Sequence, residues 1–203
     1  MLTSSTIIEH IGAMQKKAGL ASLAIFYFDS KEGQKKDLQG LLSSLLIQLG
    51  HQSTSYYDIL SGFYANHSNQ HPKDTPLFEC LKYLLEVSKR SPIYLILVAL
   101  DKCSNTSAFP SPRWEILMLL KDLISSKIQN LYICVTSQLE TDIQDAFSPL
   151  NLLSISLHDE NGHRDDIYKY IKSAVTDLSM MQKWEEKDKE WAIKVLKERA
   201  DGR

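Results

Sequence analysis

An acidic residue follows the longest apolar run of the chain, in a context where a nucleotide hydrolase would hold magnesium. The segment from Leu95 to Cys103 reads LILVALDKC. A strand that ends at such a site normally supplies carboxylates, because Mg²⁺ binds hard oxygen ligands and the attacking water must be oriented. Val98 and Lys102 stand where acids are expected, and Asp101 is the acid that remains. The pattern favours a solvated or paired Asp101 over a metal ligand.

Hydroxyl groups mark the end of a second short apolar run. Thr136 ends the run at residues 131–136 and Ser137 follows it. Their hydroxyls could contact a ligand, but side chains of this type commonly cap the next turn, and we prefer that interpretation.

Other arrangements that could do chemistry are weaker. His67 and His71 have the spacing of metal ligands on a helix, yet Pro72 and the polar neighbours predict a loop and no metal site. No serine, cysteine or carboxylate pair has the context of a known hydrolase. We therefore expect no catalytic residues and no bound metal.

The overall composition excludes several classes of partner. The 203 residues carry a net charge of −2, so no broad basic surface is available for nucleic acid or an anionic membrane. The apolar run Ile93–Leu100 is too short to span a bilayer, and no signal peptide is apparent. Cys80, Cys103 and Cys134 are scattered, which is typical of reduced thiols. These features predict a cytoplasmic protein.

Short strand patterns alternate with helical patterns over the first three quarters of the chain. Strands are predicted at 21–28, 93–99, 131–136 and 152–157. Helices are predicted at 4–17, 38–49, 76–88 and 111–127. Because each strand is nearly continuously apolar and a helix separates most of them, we expect an α/β fold with a mostly parallel sheet covered on both faces.

The last part of the chain has a different pattern. Two amphipathic helices are predicted, one around Ile167–Val175 and one at 186–200 with Trp191, Val195 and Leu196 as its apolar contacts. We therefore predict an α/β domain at 1–158 and the beginning of a helical subdomain at 159–203.

Four stretches, taken with their spacing, resemble a NACHT domain, a signalling P-loop NTPase of the type found in fungal proteins with a nephrocystin-like N-terminal module. They are SSTIIEHI at 4–11, LASLAIFYFDSKEGQKKDLQGLLSSLLIQL at 20–49, YLILVALDKC at 94–103 and LYICVTSQLETDI at 131–143. The resemblance covers nearly the whole chain. It implies a three-layer sheet of the P-loop NTPase type and a cytoplasmic, repeat-associated switch that binds ATP or ADP with magnesium.

Several parts that the family uses are replaced or absent. The helix that resembles 4–17 follows a phosphate loop in the family, but the sequence contains no GxxxxGK[ST], and the first strand of the fold is expected to be missing. Val98 replaces the magnesium-holding aspartate, Lys102 replaces an acid, and Gln138 replaces an arginine. Loss of one such part commonly lowers the rate by about 10²–10³-fold. Asp101, Thr136 and Ser137 are what remains of a nucleotide site.

Three hypotheses about function follow from this resemblance. The leading one is a non-catalytic remnant without a cofactor, acting as a binding or oligomerisation scaffold for protein partners or for itself. The alternative is a fragment of a NACHT ATPase whose phosphate loop lies upstream. The third is a decayed gene product.

The expected strand order also predicts self-association. It is 21–28 at one edge, then 93–99, 131–136, the missing strand and 152–157. A missing strand leaves a gap of about 10 Å between two strand edges, and unpaired edges attract other chains. A second surface for partners could be formed by the aromatic residues of 55–65, although packing of that helix against the sheet is the default expectation. They are Tyr56, Tyr57, Phe63 and Tyr64.

Overall fold

Three of the four strands predicted from the sequence form a parallel sheet. The strands are β1 (Ser22–Tyr27), β2 (Ile93–Val98) and β3 (Leu131–Val135). Their order is β1-β2-β3, and Ile93 of β2 lies level with Ser22 on one side and Leu131 on the other. The α/β class, the parallel pairing and the position of β1 at one edge are therefore confirmed.

The computed structural model describes residues 8–13, 21–35, 37–67, 74–88, 91–106, 109–155, 161–177 and 184–199. Two compact units are present, Met1–Leu150 and Asn151–Arg203. The domain boundary predicted between residues 158 and 159 lies outside the described residues, as do Ile7, Met14 and His71.

Five helices accompany the sheet in the described part of the first unit, in addition to a helical segment at 8–13. They are α1 (Leu38–Gly50), α2 (Thr54–Asn66), α3 (Asp74–Val87), α4 (Pro112–Ser125) and α5 (Thr141–Phe147). The predicted start of α4 is confirmed, because the Ser111 side chain accepts a hydrogen bond from the Trp114 N–H at 3.2 Å. Helix α3 begins at Asp74, earlier than predicted.

Strand β2 is continuously apolar because both of its faces are buried. Leu95 and Leu97 contribute to the main core, which also contains the leucine stripe of α1 and buried residues of α3 and α4. On the other face, Ile96 and Val98 form a smaller cluster with Ile11, which belongs to the helical segment at 8–13. Burial of both faces explains why the strand shows no polar alternation.

The aromatic residues of α2 divide between core and surface. Tyr56 is buried and Phe63 packs against the main core. Tyr57 and Tyr64 are exposed. Helix α2 packs chiefly against α1 and α3, so the expectation of core packing is confirmed for two of the four side chains, although their neighbours are helices more than the sheet.

Two glutamine side chains close the outer edge of β1. The Leu23 and Ile25 backbone groups point away from β2, and each forms a pair of hydrogen bonds with one glutamine. Gln52 accepts from the Leu23 N–H at 2.9 Å and donates to the Leu23 carbonyl. Gln48 does the same for Ile25, at 2.9 and 2.8 Å. Each side-chain amide takes the place of a peptide group in an additional strand.

The prediction of a strand at 152–157 is wrong for residues 152–155, which are not in a strand. Leu152, Leu153 and Ile155 are exposed instead, Leu153 by 91 %. Residue types with a high strand propensity fit well on a half-buried pleated surface. They form a strand only where a neighbouring strand is available to pair with. Residues 156–157 lie outside the described part.

The second unit contains two helices that pack against each other, α6 (Asn161–Asp177) and α7 (Glu186–Arg199). Ile171 and Val175 are buried as predicted. Trp191, predicted as an apolar contact, is 67 % exposed, because an amphipathic pattern does not determine which side chains a short helix pair can cover. No described helix is long and apolar enough to cross a bilayer.

Candidate functional site

The carboxyl ends of β2 and β3 bring two of the three predicted site residues together. The Thr136 N–H donates to the Leu97 carbonyl at 2.9 Å, which extends the ladder beyond β3. The Thr136 hydroxyl oxygen then accepts from the Ala99 N–H at 3.1 Å, and its carbonyl accepts from the Leu100 N–H at 2.9 Å. Thr136 therefore supports the turn that follows β2.

That turn depends on an unusual backbone conformation at Ala99. Its φ of 60° and ψ of 50° lie in the left-handed region, and the chain continues into a short 3-10 turn at Leu100–Lys102. A left-handed residue reverses the chain direction directly after the strand, at a cost of about 1–2 kcal/mol for a residue with a Cβ. The turn places the Asp101 carboxylate beside the residues that follow β3.

Both carboxylate oxygens of Asp101 have partners within the chain. Oδ1 accepts from the Gln138 N–H at 3.0 Å, and Oδ2 lies 3.0 Å from Lys102 Nζ. The Asp101 side chain is 5 % exposed, whereas the Lys102 side chain is 52 % exposed. Burial alone would raise the pKa of Asp101, but the hydrogen bonds from Lys102 and Gln138 and the lysine charge outweigh it and lower the pKa below its ordinary value.

The remaining predicted positions differ in their surroundings. Ser137 is exposed at the surface, next to Gln138. Val98, which stands where a magnesium ligand is expected, is 6 % exposed and packs with Ile11 and Leu23. A hydrocarbon cluster therefore surrounds the position at which the resemblance leads us to expect a magnesium ligand.

Arg113, which sequence analysis did not single out, joins the turn after β2 to the helix after β3. Its guanidinium is buried and donates to the Asp101 carbonyl at 2.6 Å and to the Cys103 carbonyl at 3.1 Å through Nη2. Nη1 donates to both carboxylate oxygens of Asp142, at 3.3 and 3.2 Å. Asn105 also donates to Asp142, at 3.2 Å. The sequence offered one indication of this role, namely that Arg113 stands in the first turn of a predicted amphipathic helix.

The polar groups at this edge of the sheet are thus bonded mainly to one another. Arg113 holds two backbone carbonyls and a carboxylate, as a planar group with several donors can. Asp101 and Thr136 hold backbone N–H groups. The arrangement fixes two loops relative to the sheet, the one between β2 and α4 and the one between β3 and α5.

A known protein family matches the part of the chain that contains the sheet. The model of the family described as nephrocystin 3, N-terminal, matches residues 2–138 of 203. The chain belongs to the nephrocystin 3 N-terminal family. No curated protein matches the chain, and no solved structure matches it. The family match includes all three strands and ends at Gln138, whose N–H donates to Asp101.

A cavity of about 370 Å³ in this family member is not lined by the predicted site residues Asp101, Thr136 and Ser137. Its lining includes Asn105, Trp114, Lys121 and Asp142, from the loop before α4 and from helices α4 and α5. Asn105 and Asp142 also belong to the hydrogen-bond network of Arg113. The cavity therefore borders the Arg113 network, and the partners of the Asp101 carboxylate do not line it.

Metal and thiol chemistry find little support in the described ranges. Within them, no group of three or more histidine, cysteine or acidic side chains could hold a metal ion. His67 lies just after α2, and its Nδ1 is 2.9 Å from the Phe63 carbonyl. None of the three cysteines, all of which lie in the described ranges, forms a disulfide, and burial raises the pKa of Cys103 to about 12. A thiol with so high a pKa is a poor nucleophile.

Proposed function

We propose that this chain is a non-catalytic, degenerate remnant of a NACHT signalling NTPase, and that it acts as a binding or oligomerisation scaffold. The observation that carries the proposal is the internal pairing of the site. The two Asp101 carboxylate oxygens and the Thr136 hydroxyl oxygen are bonded to groups of the same chain. A nucleotide with magnesium would have to displace Lys102 and two backbone N–H groups to use them.

The side chain at position 98 adds a second argument. Magnesium binding requires oxygen ligands, and Val98 supplies none. Because Val98 packs with Ile11 and Leu23, an acid at this position would be surrounded by hydrocarbon. The residues present therefore do not fit the magnesium nucleotide that the fungal NACHT resemblance implies.

A thermal-shift measurement tests the proposal directly. The purified chain is heated with magnesium and ATP, with magnesium and ADP, and with magnesium alone. A ligand at about 100 times its dissociation constant stabilises a protein by roughly 2.7 kcal/mol, which is readily visible. We expect the same unfolding temperature in all three solutions, because among the described residues the Asp101 carboxylate and the Thr136 hydroxyl oxygen already have partners within the chain.

Asp101→Ala is the matched control, since it removes the one acid that could serve magnesium. If ATP stabilises the natural chain and fails to stabilise Asp101→Ala, a nucleotide binds at this site and the proposal is overturned. Conversion of ATP to ADP that disappears in the same variant would overturn the non-catalytic part as well.

The alternative is a fragment of a NACHT ATPase whose phosphate loop is supplied by additional chain upstream. One observation favours it: within the described residues, Ile133 and Val135 form no bond on the side of β3 that faces away from β2, so a further parallel strand could pair there. A longer protein that includes upstream residues with a phosphate loop decides between the two. Nucleotide stabilisation of the longer protein, with none for the 203-residue chain, would support the alternative.

A further inference from the structure

Both edges of the sheet have outward-facing N–H and carbonyl groups. The two edges differ in whether side chains of the described residues form hydrogen bonds with these groups. Residues 132, 134 and 136 direct their backbone groups toward β2, as the bonds at Asn130 and Thr136 show. Successive residues of a strand alternate, so Ile133 and Val135 direct their N–H and carbonyl groups outward. These groups lie along the edge of β3 that faces away from β2.

No side chain of the described residues closes that edge as Gln48 and Gln52 close β1. Leu131 at the beginning of β3 donates its N–H to the Ile128 carbonyl at 3.4 Å. For Ile133 and Val135, no bond to the outer side is found within the described ranges. A row of such groups is a template for another strand.

The composition of β3 adds to this. The strand reads LYICV, without a charge, proline or glycine, and these are the residues that natural edge strands use to prevent pairing. None of its five residues is fully buried, and Tyr132 is 53 % exposed. Strand β3 therefore combines an open edge with side chains that favour a β neighbour.

We propose that β3 pairs edge to edge with β3 of a second copy of this chain, in the antiparallel direction. This rests on the proposed scaffold function and names its partner and surface. A two-fold axis makes the same strand both donor and acceptor, so the hydrogen-bonding groups are complementary by symmetry.

Charge at the two ends of the strand favours the antiparallel direction. Lys127 is exposed in the turn before β3. Glu140, in the segment after β3, lies 3.9 Å from Arg113 Nη1 at its Oε2 and keeps 45 % of its side chain exposed, so a second cation can still approach it. Antiparallel pairing brings the beginning of one strand close to the end of the other, so that each Lys127 approaches a Glu140 of the second copy. Parallel pairing would place like charges together, which is unfavourable.

The oligomeric state of two matched variants tests the proposal. Tyr132→Lys puts a charge on the β3 edge strand and also removes the stacking of the Tyr132 ring on Tyr94. Tyr27→Lys makes the same change on β1, where the tyrosine is 48 % exposed and glutamine side chains close the edge at Leu23 and Ile25. Sedimentation velocity is recorded over a wide range of protein concentration. We expect a concentration-dependent dimer for the natural chain and for Tyr27→Lys. For Tyr132→Lys we expect a dimer dissociation constant at least about tenfold larger, since the change occurs twice in a symmetric interface.

Amide hydrogen exchange provides a second measurement that needs no substitution. If the β3 edges pair, the Ile133 and Val135 N–H groups exchange more slowly at high than at low protein concentration. The Leu23 and Ile25 N–H groups, which bond to glutamine side chains, serve as internal controls and should not depend on concentration.

Three outcomes would overturn the inference: a monomer at every concentration, equal weakening by Tyr132→Lys and Tyr27→Lys, or exchange at Ile133 and Val135 that is independent of concentration. These results are separate from the nucleotide test. A dimer that also binds nucleotide through Asp101 leaves the interface standing and removes the scaffold function, whereas a monomer without nucleotide binding removes only the interface.

Discussion

The outer edges of β1 and β3 show how one small sheet handles the same problem in two ways. Both strands have one neighbour, β2, and both have backbone groups directed outward. At β1, Gln48 and Gln52 satisfy the outward groups of Leu23 and Ile25 through four hydrogen bonds. At β3, the strand is anchored at its carboxyl end by Thr136, and its middle residues face outward.

The β1 edge teaches how helix and strand geometry can match. Four residues of helix rise about 6 Å, and two residues of strand advance about 6.6 Å. Gln48 lies on α1 and Gln52 in the turn directly after it, so the helical rise applies up to Gly50 and the turn continues it to the side chain that reaches Leu23. A helix and the turn at its end can thus close the edge of a neighbouring strand with two side chains.

Among the variants considered, replacement of both glutamines should have the largest effect on stability and on the difference between the two edges. The double variant Gln48→Leu with Gln52→Leu loses four hydrogen bonds to β1, each worth about 1 kcal/mol net, so we expect a loss of roughly 3–4 kcal/mol in the free energy of unfolding. A second open edge should also convert dimers into longer assemblies. Urea unfolding and light scattering measure the two effects.

Gln144→Leu is the control for that variant, because Gln144 is an exposed glutamine on a helix. It should leave both stability and assembly size nearly unchanged. Full stability of the double variant would show that the β1 edge does not depend on these side chains.

Replacement of Arg113 should have the next largest effect, because it acts at the carboxyl end of β2 and β3. Arg113→Met retains the apolar stem but removes the arginine's bonds to the Asp101 and Cys103 carbonyls and to the Asp142 carboxylate, which retains its bond from Asn105. Breaking a buried ion pair costs about 3–5 kcal/mol, and since Asp142 is 38 % exposed we expect about 2–3 kcal/mol.

Urea unfolding measures that loss, with Lys121→Met on the same helix as the control. A loss below that of Lys121→Met would contradict the role of Arg113 in joining the two loops. The β1 edge is distant from this network in the sheet, so exchange at Leu23 and Ile25 should change less than exchange near Thr136.

Asp101→Asn should have the smallest effect, about 1 kcal/mol near neutral pH, through its weaker bonds to Lys102 and Gln138. The folded pKa of Asp101 lies below its ordinary value. Its stabilising contribution is therefore complete above the ordinary carboxyl pKa of about 3.9 and is lost as the pH falls through the lower folded pKa.

The measurement is the difference in unfolding free energy between the natural chain and Asp101→Asn as a function of pH. We expect this difference to shrink as the solution becomes acidic. A difference that grows on acidification would mean that the folded pKa is raised, and the pairing with Lys102 and Gln138 would then be the wrong description.

The elements of the fold were predictable where apolar periodicity is strong. The three strands, the leucine stripe of α1 and the serine cap of α4 follow from local patterns that a strand or helix must show when one or both faces are buried. Prediction failed at 152–155, where an apolar pattern exists without a neighbouring strand.

The site was predictable only in part. Parallel strand ends must meet at one edge of a sheet, so Asp101 and Thr136 could be placed near each other in advance. The partners of those residues could not, because Arg113 is 12 residues from Asp101 and Asp142 a further 29 along the chain. Local periodicity contains no information about such contacts.

The amino-acid sequence by itself determined which segments are apolar enough to be buried, where α4 begins, and that Val98 offers magnesium no oxygen. Only the tertiary structure decided which backbone groups find partners: Gln48 and Gln52 at β1, Arg113 at the carboxyl ends of β2 and β3, and an open edge at β3. The physical reason is that burial depends on the type of each side chain, whereas a hydrogen bond depends on the distance and direction between two groups that folding brings together.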